Sequence, residues 1–259
     1  MHAHKKGTPA ASLSRFYLSQ VISMDLQHTI WNQTTYQMYQ DYLAGLADPA
    51  YRDFSARLIP DTPQMLGVRV PVLRTAAKQI ARGDAQAFLA CEKSPCHEEI
   101  IMEGLVIGYA KLGFGAFCEY TRRFAQKVYN WAICDIPCSS MTLIRKFRTE
   151  YLIEIDRFLH SSNPWEQRVG VILLLDHYLV DGYLEIVFSR MDSLCSDFYY
   201  VQMAQAWLLA TAFAKFRSET LAYLQTAALN AETFRLTVKK VQESSRIAAE
   251  DKILVKQLR

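Results

Sequence analysis

The sequence predicts an all-α fold, an α-solenoid in which antiparallel helix pairs stack one on the next. Three observations carry that expectation. Apolar residues recur with helical period along nearly the whole chain, and no run alternates strictly in period two as a strand would. Only 10 Gly and 8 Pro are spread over 259 residues, too little punctuation for the many tight turns of a sandwich or barrel. The most apolar segments, residues 97–111, 164–179 and 199–216, are each followed by a more polar one, the pattern of helix pairs that bury their faces only by stacking.

Taken in order, residues 36–46 form the first candidate helix. Residues 72–82 form the next, following Pro71, whose missing N–H costs nothing at a helix start. Asp84 caps a short helix running to Cys91. Helices are expected over 97–111, 114–129, 140–147, 149–160, 164–179, 183–194, 199–216, 218–228 and 231–243. Connections fall at Gly67, Gly83, Gly113, Asn163-Pro164, Asp181-Gly182 and Ser196-Asp197. No linker interrupts the series, so residues 24–259 are expected to form a single HEAT-like repeat domain, with 1–23 an extension to which no function is assigned.

With 51% hydrophobic and 12% aromatic residues the chain can bury a continuous core, and a disordered chain is excluded. The longest apolar stretch near the middle, 169–175, is far below the roughly 18 residues that cross a bilayer. Residues 1–23 mix Ser, Arg15 and Gln20 into the apolar positions and offer no secretory h-region, so a cytoplasmic protein is expected. The six cysteines fit reduced, buried thiols in a chain of this size. Cys134 and Cys138, with His97 elsewhere, lack the spacings that build zinc sites, and no metal is expected. A net charge of +3 permits a polyanionic partner without demanding one.

Four residues stand out as candidates for chemistry. Trp131 and Asp135 are four apart, which on a helical turn sets a carboxylate beside an indole wall. Asp135, followed by Pro137, is equally placed to cap a helix that starts near Ser139. Arg168 opens an apolar helix and must find an anion there, either Asp135 or Glu166 in a fixed ion pair, or a phosphate; neither excludes the other. Trp207, in a helix of Ala and Leu, reads by composition as core. Spacing lifts three of them together: Trp131, Arg168 and Trp207 are 37 and 39 residues apart, close to one repeat of a helix-pair solenoid, and so return to the same face.

The WxxxD segment, the Trp-x-x-Arg that opens an apolar helix, and a Trp near the end of a Tyr-rich helix together resemble the AlkD-type DNA alkylation repair glycosylases. The resemblance extends to Gly67, Pro71 and Arg74 and to His97-Glu98, and spans roughly residues 30–245. It implies a monofunctional glycosylase that removes cationic alkylated purines from duplex DNA and needs no metal or organic cofactor. By that resemblance Asp135 would stabilise the developing oxocarbenium charge and place the water, Trp131 and Trp207 would pack against the deoxyribose, and Arg168 would hold a phosphate or orient Asp135.

Duplex DNA is the partner the resemblance implies, and a monomer is expected. Arg69, Arg74 and Lys78 around one helix, Arg122, Arg123 and Lys127 on another, and Arg145 and Lys146 after the candidate site are the expected phosphate contacts. Residues 56–63, with Pro60 and Pro63, are expected to break a helix and offer no aromatic to the lesion strand. After Trp207 come Leu208, Leu209 and Ala210, where the family tends to be more polar and basic. These departures keep two alternatives open: an inactive or altered DNA-structure binder on the same fold, and a HEAT-type protein-interaction scaffold.

Overall fold

The structure is a computed structural model that describes residues 24–59 and 62–258. Among the described residues there are 14 α-helices and one 3-10 turn, and no strand, so the chain is all-α. It divides into two compact units between Val106 and Ile107, inside a helix. The expected extension, 1–23, lies outside the described residues.

In the first unit, α1 (Gln33–Gly45) starts in a capping box: the Asn32 side chain accepts from the Thr34 and Thr35 N–H groups, and the Asn32 N–H donates to Thr35 Oγ1. α2 (Pro49–Leu58) was not expected. Asp48 caps it and Pro49 occupies its first turn, but only Ser55 is buried, so no apolar period marks it. It ends at Leu58, inside the segment 56–63 that was expected to break a helix, and carries the exposed Phe54 just before that segment. Pro60 and Asp61 lie outside the described residues. α3 (Val70–Arg82) and α4 (Ala85–Ala90) follow, the second capped by Asp84 as expected. Trp31, Tyr36 and Tyr39 all pack their rings on Phe88.

α5 (His97–Tyr109) begins with two buried carboxylates, where the positive end of the helix dipole favours them. Glu98 accepts from the N–H groups of Leu66, Gly67 and Val68, around a turn that Gly67 makes with φ 89°. Glu99 accepts from the Tyr36 hydroxyl at 2.7 Å and from Gln40.

The second unit is a stack of two rows. α7 (Trp131–Cys138), α9 (Pro164–His177), α11 (Tyr199–Lys215) and α13 (Ala231–Glu243) pack each on the next to make one row. Behind α9, α11 and α13 lie α8 (Arg148–Leu159), α12 (Arg217–Thr226) and α14 (Ala249–Lys256) respectively. Consecutive helices are joined by a few residues and so run antiparallel. The second row, which includes α10 (Leu184–Ser193), is tied laterally by Arg190 to Asp156, by the Phe188 and Tyr223 rings stacked at 4.3 Å, and by Arg217 to Asp251. α6 (Phe114–Ala125) precedes the stack. The apolar α9 and α11 are the almost wholly buried middle of the first row, which is why they read as the most hydrophobic segments.

Two local expectations are corrected here. The helix expected over 140–147 is only a 3-10 turn, Thr142–Lys146, while the residues before it form α7. Proline inside α7 obscured this, but Pro137 sits in the last turn, where the interruption ends a helix that was about to end.

Candidate active site on one row of helices

Asn130 caps α7, its side chain accepting from the Ile133 N–H at 2.9 Å. Trp131 is the first residue of the helix and Asp135 lies one turn on, so both face the same way. Asp135 is therefore inside a helix already capped by Asn130, and its reading as the cap of a later helix is overturned.

Arg168 lies on the first turns of α9, which Asn163 caps and Pro164 opens. Its guanidinium meets the Asp135 carboxylate as a fork: Nε donates to Oδ1 at 3.0 Å and Nη2 to Oδ2 at 2.7 Å. Nη1 donates to the Tyr200 carbonyl on α11. Burial alone pushes the Arg168 guanidinium down, and the charge and hydrogen bonds of Asp135 more than offset it, leaving it above its ordinary value. The Arg168 side chain is 5% exposed and that of Asp135 16%, so the carboxylate, not the guanidinium, is the group of this pair that solvent reaches. These bonds use three of the five guanidinium N–H groups and tie α7, α9 and α11 together around Asp135.

Trp207 corrects its reading as core: it is 40% exposed. It stands seven residues from Tyr200 on α11, on the same stripe and about 10 Å along the axis at about 1.5 Å per residue. There it lines a hollow of about 220 Å³ with Ala210, Thr211, Lys240, Glu243 and Arg246. Trp131, Arg168 and Trp207 thus stand on three consecutive helices of one row. One contributor had no signal in the sequence, the Tyr200 carbonyl, which is a main-chain atom; Trp165, the Trp of the Trp-x-x-Arg motif, sets its ring 5.1 Å from that of Tyr200.

The expected phosphate contacts divide. In the first unit Arg69 is paired with Asp48 at 2.7 Å and lies over the Tyr51 ring, while Arg74 is half-buried and Lys78 exposed on α3. In the second unit Arg122 pairs with the buried Glu154 at 2.6 Å, which makes it a structural ion pair before any other use. Arg123 is exposed beside the Tyr120 ring and Lys127 is half-buried. Arg145 and Lys146 are exposed on the 3-10 turn.

Among the described residues no helix is long and apolar enough to cross a membrane. A protein family described as DNA alkylation repair enzyme matches residues 39–243, a span that takes in the whole row and every candidate residue named above. No curated protein matches the chain.

Proposed function

The chain belongs to the DNA alkylation repair enzyme family, and from that premise we propose that it is a glycosylase hydrolysing the N-glycosidic bond of cationic alkylated purines in duplex DNA. The observation that carries this reading is the forked Arg168 to Asp135 pair, which fixes a part-exposed carboxylate on the same face as an indole. A purine alkylated at a ring nitrogen already bears positive charge and leaves as a neutral base, so no general acid is required. Positive charge gathers instead at the anomeric carbon, and an aligned carboxylate stabilises it with little reorganisation. A water oxygen bonds to that carbon as the C–N pair withdraws into the base; the proton lost from the water passes to Asp135 and then to solvent. Trp131 and the exposed Trp207 supply flat apolar walls for the deoxyribose. Arg168 acts as a positioning residue.

The experiment is single-turnover release of methylpurines from methylated duplex DNA by the whole chain. Release above the uncatalysed rate supports the proposal. Tight DNA binding with no release from any alkylated substrate would leave the Asp135 pair as a tie between helices and the protein as a binder of DNA structure.

A further inference from the structure

The second unit holds another hollow, of about 280 Å³, where the ends of α9 and α11 meet the 3-10 turn and the start of α8; its polar lining is Arg145, Arg148, Asp176, His177, Thr211 and Lys215. Elsewhere in this unit most arginines are matched to acids: Arg122, Arg157, Arg168, Arg190, Arg217 and Arg235 each face a carboxylate. Here the pattern breaks. Among the described residues, none of Arg145, Arg148 and Lys215 has a carboxylate partner. Arg145 Nε donates to His177 Nδ1 at 3.3 Å, Arg148 to the carbonyls of His177 and Arg145 at 2.7 and 3.1 Å, and Lys215 to the Leu179 carbonyl at 2.7 Å.

Capping the end of α9 accounts for one donor on Arg148, and a helix end supplies only about half a negative charge, while Lys215 bonds a carbonyl just beyond that end. Both terminal nitrogens of Arg145 and one of Arg148 remain without a protein acceptor among the described residues, in the planar geometry that suits phosphate oxygens. The floor is built to aim them. His177 is 1% exposed and Nε2 donates to the Cys138 carbonyl at 2.8 Å, so Nδ1 carries the lone pair that accepts from Arg145. Burial first, with Arg145 and Arg148 adding to it, keeps this ring neutral by pushing its pKa down to about 4.

Position links the hollow to the row above. Cys138 follows Asp135 by three residues on α7, about 4.5 Å along the axis. Thr211 lines both this hollow and that of Trp207, and Trp207, Thr211 and Lys215 share one stripe of α11. We propose that Arg145, Arg148 and Lys215 form a phosphate-binding site which, on the glycosylase reading, holds a backbone phosphate of the strand whose sugar faces Asp135.

The test has two arms. Duplex DNA affinity is measured against salt for the whole chain and for Arg148→Gln/Lys215→Gln, and inorganic phosphate is titrated while the His177 ring nitrogens are followed by NMR. The double variant is expected to bind DNA on the order of tenfold more weakly and to flatten the logarithmic salt slope by about 0.9 for the phosphate lost. Arg148→Lys/Lys215→Arg keeps both charges and should keep the slope, and phosphate should move the His177 signals in the native chain. If the native chain binds DNA, the Gln variant matches it in affinity and slope, and phosphate leaves His177 unmoved, the site is refuted while the glycosylase reading stands. Phosphate moving His177 with DNA binding unaltered by the variant leaves a free-phosphate site and removes the backbone role. If the native chain binds no DNA, the glycosylase reading falls and the phosphate arm alone decides; if the Gln variant does not fold, the charge-keeping variant and the phosphate titration decide.

Discussion

Asp135 is the anion a buried guanidinium requires and, on the proposed glycosylase reading, also the carboxylate the chemistry uses, and substitutions separate the two. Asp135→Asn keeps shape but removes charge, and excision should fall by about 10²–10³, the usual effect of losing one preorganised electrostatic partner. It also leaves Arg168 charged and buried without its counter-ion, a change that commonly costs about 3–5 kcal/mol. Arg168→Gln added to Asp135→Asn removes the orphaned charge, so the double variant should melt above the single Asn variant while excising no faster. Thermal unfolding and single-turnover release on the same three proteins check this; recovery of excision in the double variant would show that the Asp135 charge is dispensable. The partnership was legible as one of three options, beside Glu166 and a phosphate, because an arginine at the edge of so apolar a helix needs an anion and the repeat spacing brings Asp135 round to it. The exposure of Trp207 was not. Its sequence neighbours are Ala and Leu, and it is the hollow shared with Lys240, Glu243 and Arg246, on and just beyond α13, that leaves it open.

At the scale of elements, the site depends on a helix of eight residues, and α7 is held at both ends rather than by its own length. Asn130 fastens the start, and Asn130→Ala should cost about 1 kcal/mol through the lost cap. The other end is fixed by close approach: a Cβ on Gly108, in the last turn of α5, would come within 2.8 Å of the Ser140 carbonyl carbon. Gly108→Ala must therefore move the chain that leaves α7, and a destabilisation of about 1–3 kcal/mol is expected for such overpacking. Chemical denaturation measures both, and a Gly108→Ala protein as stable as the native one would mean that this contact yields freely. The long helices α9 and α11 were readable because their burial writes itself as apolar sequence. α2, α7 and α14 escaped for the opposite reason: α2 buries only Ser55, α14 buries only Asp251 and Val255, and α7 carries a proline, so tertiary contacts hold what periodicity does not announce.

For the whole molecule, fold class was legible because every level agrees, from sparse Gly and Pro to paired helices, whereas the division at Val106 and Ile107 left no trace because a helix runs through it. Stability against acid is a property of the whole chain that residue chemistry fixes in advance. Burial first, then the charges of Arg145 and Arg148, hold His177 at about 4 against the Cys138 carbonyl, which favours the protonated ring. Burial likewise lowers His97, against the adjacent Glu98. An unfolded histidine titrates near 6.5, so as pH falls the unfolded chain takes up protons first. Native stability is therefore full above about pH 6.5 and declines between that and about 4, by on the order of 3 kcal/mol from His177. The carboxylates whose pKa values are lowered, among them Asp48 and Asp251, act in a separate window, since their contribution is present above the ordinary carboxylate range and lost only as pH falls through their depressed values. His177→Gln can still accept from Arg145 and donate to the Cys138 carbonyl but does not titrate, so its urea stability should change less between pH 7 and 4.5 than that of the native chain. A native chain whose stability is level across that range, or a Gln variant that keeps the full decline, would place the acid sensitivity somewhere other than beneath the cationic hollow.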